Sequence, residues 1–300
     1  MMMRRVPGRF WACVVALGLL PAALLAADRY WPPITDPATG VHVPGRWVWM
    51  ELLTRDVGGA VAFYRQVFDW QFETYGPEDD TETYTLVLHR GQPIAGMVFS
   101  RPRDRSMKRD ARWVGLISVD DVGTAEARVR AAGGKVLVPR QSMGPRGEAA
   151  LFADSEGAMF GVIRSATGDP EDYLGETNEW LWAELWADDP ARMAEFYRSL
   201  GEYEVVPGAT PGESGGFHLA SGGRARAGIL AKPVDAPSTW IPYVRVDDVA
   251  QTVARARAAG GHIVATPESY HGTRVALILD PMGAPFAVAE WPGAHRGAGQ

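Results

Sequence analysis

The sequence predicts an α+β protein built from four tandem βαβββ modules, because two kinds of segment each occur twice. Trp47–Phe68 and Trp180–Leu200 share Trp-x-Glu-Leu, an Asp five residues after the Glu, and Phe-Tyr-Arg seven residues later, at an offset of 133. Trp113–Gly134 and Trp240–Gly261 share Asp-Asp-Val and Ala-Ala-Gly-Gly at an offset of 127. Repetition in this order indicates two domains, each made of two related modules.

Each module opens with a run that is typical of a buried strand. Trp47–Leu53 and Thr239–Val246 are rich in apolar, aromatic and β-branched residues. An aspartate then occupies the position that caps the first turn of a helix: Asp56, Asp121, Asp189 and Asp248. Glycine pairs end the second and fourth helices. Three short apolar segments separated by glycine-rich turns follow each helix, which completes the βαβββ pattern.

Changes in composition divide the chain into six segments. The proline-rich residues before the first module are an extended lead-in, and polar, turn-rich residues between the domains are a linker. The predicted segments are a signal peptide or anchor (1–27), the lead-in (28–46), the first domain (47–165), the linker (166–179), the second domain (180–291) and a tail (292–300).

Residues 1–27 have the layout of a secretory signal. Arg4, Arg5 and Arg9 precede the almost continuously apolar run 10–26. This run is at the short end for a membrane span, so an uncleaved N-terminal anchor is the alternative. We therefore expect an exported protein, periplasmic or extracellular, that meets a membrane only if this segment is retained.

The composition excludes several classes of protein. The single cysteine, Cys13, lies in the signal segment, which excludes a disulfide framework and cysteine-based metal clusters. Lys and Arg total 30 against 36 Asp and Glu, so the basic footprint of a nucleic-acid-binding protein is missing. The partner we expect is a small organic ligand, and a homodimer is left open.

The modules resemble those of the vicinal oxygen chelate superfamily, which includes glyoxalase I, bleomycin- and fosfomycin-resistance proteins and extradiol dioxygenases. The shared patterns are Asp-x-x-x-Ala-x-x-Phe-Tyr, as at Asp56–Tyr64, and Asp-Pro-x-Gly before the last strand. The resemblance covers Trp47–Ser165 and Trp180–Trp291 and is closest to two-domain glyoxalase-like proteins. It implies that paired modules form two half-barrels, each a cup, and that catalytic members hold one divalent metal in the cup.

The resemblance also implies where the metal ligands would stand. One position lies seven residues before each capping aspartate: Trp49, Val114, Trp182 and Ile241. Another lies four residues after the glycine of the last turn: Gly161 and Ala287. None of these side chains coordinates a metal. No cofactor is therefore expected, and a divalent metal at a non-standard site stays open as an alternative.

Glu51 and Glu184 are the catalytic candidates. They stand two residues beyond Trp49 and Trp182, so strand alternation places them on the same face, toward the cup. In the functional interpretation, each glutamate is a general base or a polar anchor at the base of an aromatic-walled pocket. In the structural interpretation, each pairs with an arginine or with backbone donors and fixes the inner layer of the barrel. The second interpretation is favoured, because a buried carboxylate needs a partner whatever its role. The ligand-binding candidates are Trp49, Trp182, Tyr243 and His218.

Three functions compete. The first is a metal-free protein that binds a small organic molecule in one or both cups. The second is a lyase, isomerase or dioxygenase with a non-standard metal site around Glu51 or Glu184. The third is an interaction protein whose cups are filled and whose sheet edges mediate assembly. Because the implied metal ligands are missing, the sequence favours the metal-free binding protein over the metal-dependent enzyme.

Overall fold

The structure, a computed structural model, describes residues 30–76, 83–100, 110–208, 216–270 and 273–291, without the side chains of 267–270. The predicted signal segment (1–27) and tail (292–300) lie outside the described residues. Within the part of the chain that is described, no helix is both long enough and apolar enough to cross a membrane.

The first half of the chain forms two βαβββ modules. The first consists of β1 (Trp47–Thr54), α1 (Val57–Val67), β2 (Trp70–Tyr75), β3 (Tyr84–His89) and β4 (Gln92–Phe99). The second consists of β5 (Arg112–Ser118), α2 (Val122–Ala131), β6 (Lys135–Ser142), β7 (Gly147–Ala153) and β8 (Met159–Ser165). One turn of 3₁₀ helix, Gly144–Arg146, joins β6 to β7.

The second half repeats this order. The third module consists of β9 (Trp180–Ala187), α3 (Pro190–Ser199), β10 (Glu204–Pro207), β11 (Phe217–Ser221) and β12 (Arg224–Ala231). The fourth consists of β13 (Thr239–Arg245), α4 (Val249–Ala258), β14 (His262–Tyr270), β15 (Thr273–Leu279) and β16 (Pro285–Ala289).

The capping aspartates begin all four helices as the sequence predicts. Each carboxylate accepts a hydrogen bond from the backbone N–H three residues later, which satisfies a donor that the first turn leaves without a helical partner. The four pairs are Asp56 with Gly59, Asp121 with Thr124, Asp189 with Arg192, and Asp248 with Gln251.

Each half of the chain forms one eight-stranded mixed sheet. The strand orders are β2-β3-β4-β1-β5-β8-β7-β6 and β10-β11-β12-β9-β13-β16-β15-β14. The first strands of the paired modules lie antiparallel at the centre, β1 beside β5 and β9 beside β13. The predicted α+β class, with tandem βαβββ modules in two half-barrel domains, is confirmed.

The helices pack between the two sheets, so the main cores belong to both halves of the chain. One core joins α1 and the first module to α4 and the fourth, with Phe63 and Phe286 among its members. The other joins α2 and the second module to α3 and the third, with Phe160 and Tyr197 among its members. The opposite face of each sheet is free to form a cup. We call the face that bears Glu51 cup 1 and the face that bears Glu184 cup 2.

Two matching hydrogen-bond chains cross between the halves. In one, Trp113 Nε1 donates to the Tyr64 hydroxyl over 2.7 Å, and this hydroxyl donates to Asp280 Oδ2 over 3.3 Å.

In the other, Trp240 Nε1 donates to the Tyr197 hydroxyl over 2.8 Å, which donates to Asp154 Oδ2 over 3.0 Å. Both aspartates also accept backbone N–H groups of their own turns at Oδ1. The last turn of each half therefore binds a tyrosine of the other half.

Burial raises the pKa of both aspartates to about 6, from an ordinary value of 3.8. The hydrogen bonds from the backbone and from the tyrosines act in the opposite direction and limit the rise. The shift therefore originates in the loss of water around the two carboxylates.

We expect Tyr197→Phe to lower the free energy of unfolding by about 1–3 kcal/mol, because it leaves the Trp240 N–H and one Asp154 oxygen buried without their partner. Urea denaturation measures the change. Tyr75→Phe is the matched control, since its hydroxyl binds Glu73 at the surface. Equal, small effects of the two substitutions would show that the buried chain does not hold the halves together.

The raised pKa of Asp154 has a predictable effect on stability. The folded protein holds this proton more tightly than the unfolded chain does, so the stabilisation is complete below about 3.8 and is lost as the pH rises through about 6. Asp154→Asn does not titrate. The stability of the wild type relative to this variant should therefore fall between pH 4 and pH 7, by on the order of 2–3 kcal/mol. A difference that is constant across this range contradicts the prediction.

Candidate functional site

The two candidate glutamates occupy equivalent places in the two sheets. Glu51 lies on β1 opposite Gly96 of β4, and Glu184 lies on β9 opposite Gly228 of β12. Both carboxylates are buried. The structure places them in separate cups, so they form two sites and not one pair of acids.

In cup 1 the glutamate is bound by three donors. Glu51 Oε2 accepts from Trp49 Nε1 at 3.1 Å, from the Tyr84 hydroxyl at 3.3 Å and from Arg146 Nη1 at 3.3 Å. Arg146 Nη1 also donates to the Tyr84 hydroxyl over 2.7 Å. Arg146 is therefore the kind of arginine partner that the structural interpretation of Glu51 requires.

Arg146 is completely buried, which is rare for a charged side chain. Its guanidinium lies over the rings of Trp49, Tyr84 and Trp31, at 4.6, 4.7 and 5.5 Å from their centroids. The faces of these rings attract the cation, and Glu51 neutralises it, so both compensate the loss of water. Burial also raises the pKa of the Tyr84 hydroxyl, which stays protonated and able to donate.

The lead-in closes cup 1. We call residues 30–46 the strap. Trp31 and Ile34 of the strap are buried against the cup face, Trp31 packs on Tyr84 at 5.0 Å, and the Pro32 carbonyl accepts from Arg146 Nε at 2.8 Å. A cavity of about 30 Å³ remains, lined by Trp31, Glu51 and apolar residues. This space has room for about one water. The sequence predicts an extended lead-in and does not reveal that it fills a cup.

Cup 2 is built differently around the equivalent acid. Glu184 Oε2 accepts from the Tyr243 hydroxyl at 2.7 Å. The rings of Trp182 and His218 meet edge to face at 5.8 Å. Trp182, His218 and Trp186 are only partly buried, whereas Trp49 in cup 1 is 2% exposed. Four of the predicted site residues, Glu184, Tyr243, Trp182 and His218, therefore lie on one accessible face.

The residues at the family's metal positions do not fit a metal. In cup 1 these positions hold Trp49, Val114 and Gly161, and in cup 2 they hold Trp182, Ile241 and Ala287. Such side chains offer no oxygen, nitrogen or thiolate ligand that a divalent cation binds. Among the residues that the structure describes, no three His, Cys, Asp or Glu side chains are grouped so that they could hold an ion.

Comparison with known protein families agrees with this fold. The model of the Glyoxalase/Bleomycin resistance protein/Dioxygenase superfamily matches residues 46–162, and the model of the glyoxalase-like domain matches residues 182–289. The chain belongs to this superfamily. Each match falls on one of the two sheets, so both halves of this glyoxalase-like protein are members.

Relatives of similar length exist among curated proteins. "Putative glyoxylase CFP32" of Mycobacterium tuberculosis is 27% identical over 80% of this chain and 92% of its own. "Anthracycline biosynthesis protein DauV" of Streptomyces sp. (strain C5) is 28% identical over 85% of this chain and 98% of its own.

Solved structures of the superfamily share the fold at low identity. A Mn(II)-bound glyoxalase from Novosphingobium aromaticivorans has 19% identity and a TM-score of 0.55, over 83% of this chain and 82% of its own. A variant of homoprotocatechuate 2,3-dioxygenase from B. fuscum has 14% identity and a TM-score of 0.58, over 86% of this chain and 74% of its own. A protein with bound Mn(II) is thus among the proteins that share this fold, and a metal in this glyoxalase-like chain stays an alternative to test.

The glycines opposite the two glutamates allow a matched experiment. A Cβ atom at Gly96 would overlap the Tyr84 hydroxyl and lie 2.5 Å from Glu51 Oε1. At Gly228 the nearest atoms would be those of Trp182 at 3.4 Å and Glu184 at 3.6 Å, which is ordinary contact. We expect Gly96→Ala to destabilise the protein by about 1–3 kcal/mol through overpacking, and Gly228→Ala to cost less than about 1 kcal/mol. Thermal unfolding of the two variants checks this. Equal losses would mean that the two cups are packed alike.

Proposed function

We propose that this protein binds a flat, aromatic small molecule in cup 2 without a metal ion. Binding, and not conversion, is the proposed activity, because the side chains at the positions where the family resemblance implies metal ligands cannot coordinate a metal. We propose further that the protein acts outside the cytoplasm, since residues 1–27 have the layout of an export signal.

The observation that carries the proposal is the arrangement of Trp182, His218 and Glu184. Trp182 and His218 present partly exposed rings on the cup face, 5.8 Å apart, and a planar ligand gains energy by packing against such rings. Beneath them Glu184 is buried and bound by Tyr243. A few fixed polar groups at the base of an aromatic wall are typical of small-molecule sites.

The names of two relatives suggest which class of ligand to try first. DauV and DnrV, the latter from Streptomyces peucetius and 27% identical over 85% of this chain, are named as anthracycline biosynthesis proteins. Anthracyclines are flat and polycyclic, which suits the aromatic wall of cup 2. An anthracycline is therefore the first probe.

The test is a fluorescence titration of an anthracycline with the purified protein and three variants. We expect saturable binding by the wild type, and binding about tenfold weaker, or about 1.4 kcal/mol, in Trp182→Ala and in His218→Ala. Trp291→Ala is the control, because Trp291 is 46% exposed and follows the last strand. It should bind like the wild type.

Any of three results would overturn the proposal. The first is the absence of saturable binding, and the second is a loss of affinity in Trp291→Ala equal to that in Trp182→Ala. The third is elemental analysis showing a stoichiometric Mn, Fe, Ni or Zn that is lost in Glu184→Ala. That result would favour the metal-dependent alternative.

A further inference from the structure

We propose that cup 1 is a second binding site, for a flat aromatic molecule that carries a neutral carbonyl group, and that the strap is its built-in competitor. The tip of the strap, residues 31–34, places an indole ring and a carbonyl oxygen against the cup face. The chain itself thus shows which chemical groups this face accepts. This proposal does not rest on ligand binding in cup 2.

The ring site is defined by two contacts of Trp31 and by the cavity beside it. Trp31 lies 5.0 Å from the ring of Tyr84 and 5.5 Å from the Arg146 guanidinium, and it lines the remaining cavity beside Glu51. An aromatic ring in this place therefore packs on both another ring and a buried cation. A ligand ring that replaces Trp31 would gain the same interactions.

The acceptor site is defined by Arg146. Its Nε donates to the Pro32 carbonyl, its Nη1 to Glu51 and Tyr84, and its Nη2 is buried with no hydrogen-bond partner among the described residues. A buried donor without a partner is costly, and a ligand acceptor that reaches it would remove that cost. A ligand carbonyl in the place of Pro32 would accept from Nε. The hydrogen bonds from Nη1 to Glu51 and Tyr84 would stay in place.

The charge of the cluster selects a neutral ligand. Glu51 and Arg146 already neutralise each other, at 3.3 Å and away from water. A ligand carboxylate would add an uncompensated negative charge to this buried site, whereas an amide or ketone adds none. The site therefore discriminates between an aromatic amide and the corresponding acid.

The strap can release its tip without detaching, because its two parts have different partners. The tip contacts the cup through Trp31, Pro32 and Ile34. The following part is held by the linker: the N–H groups of Thr39 and Gly40 donate to the Thr167 carbonyl over 2.9 and 3.0 Å.

Further along the strap, the Val43 N–H donates to Asp169 Oδ2 over 2.6 Å, and the Asp169 N–H donates to the Val41 carbonyl over 2.7 Å. A ligand that displaces the tip leaves these bonds in place. Because the tip must leave the cup before a ligand can bind, the wild type binds a ligand more weakly than a protein whose cup is always open. Its affinity is that of the open cup multiplied by the fraction of wild-type molecules in which the cup is open.

The test compares full-length wild type and Trp31→Ala with two probes, indole-3-acetamide and indole-3-acetate, by calorimetry. Trp31→Ala should bind the amide at least tenfold more tightly than the wild type does, and at least tenfold more tightly than it binds the acetate. Val41→Ala is the control, because Val41 is 57% exposed and lies in the part of the strap that the linker holds. It should behave as the wild type. Cup 2 is the same in all three proteins, so differences between them report cup 1.

Equal affinities of wild type and Trp31→Ala, or equal affinities of the variant for amide and acetate, would overturn the proposal. Should Trp31→Ala fail to fold, hydrogen exchange of the wild type decides. Saturating amide should speed exchange at Trp31 and Ile34 and leave Thr39 to Val43 unchanged. Unchanged exchange at Trp31 and Ile34 under saturating amide would overturn the proposal equally.

Discussion

The two buried Trp–Tyr–Asp chains are the constraint on which the rest of this structure depends. Each connects a tyrosine on the helix of one half to the last turn of the other, so the four helices stay between the sheets. Because the helical sides of both sheets face inward, the other sides are left to form the cups. The same arrangement explains why burial raises the pKa of Asp154 and Asp280 to about 6.

The two halves of the chain have the same fold, but their cups bind the equivalent glutamates in different ways. Equivalent glutamates and glycines are retained, but Glu51 is bound by Tyr84 and Arg146, whereas Glu184 is bound by Tyr243. The tip of the strap covers cup 1, whereas the rings of Trp182, Trp186 and His218 in cup 2 are only partly buried. A duplicated scaffold thus supplies one closed and one accessible face. This difference accounts for placing the proposed aromatic ligand in cup 2.

Local signals in the sequence were enough to predict the fold. The strand patterns, the capping aspartates and the internal repeats predict four βαβββ modules, since each depends on neighbouring residues alone. The face of Glu51 and Glu184 followed from strand alternation in the same way. The contents of cup 1 could not be predicted, because Trp31 and Arg146 are 115 positions apart and no motif marks either. Arg146 lies in a Gly-Pro-Arg turn, and by sequence such a turn is typical of the protein surface. Its burial depends on the strap, which packs over it.

The central claim is that one cup is accessible and binds an aromatic molecule without a metal. A crystal structure of the protein grown with an anthracycline tests this most directly. We predict ligand density against Trp182 and His218 in cup 2. A structure with no ligand in cup 2, or with a metal ion coordinated by Glu184, would contradict it.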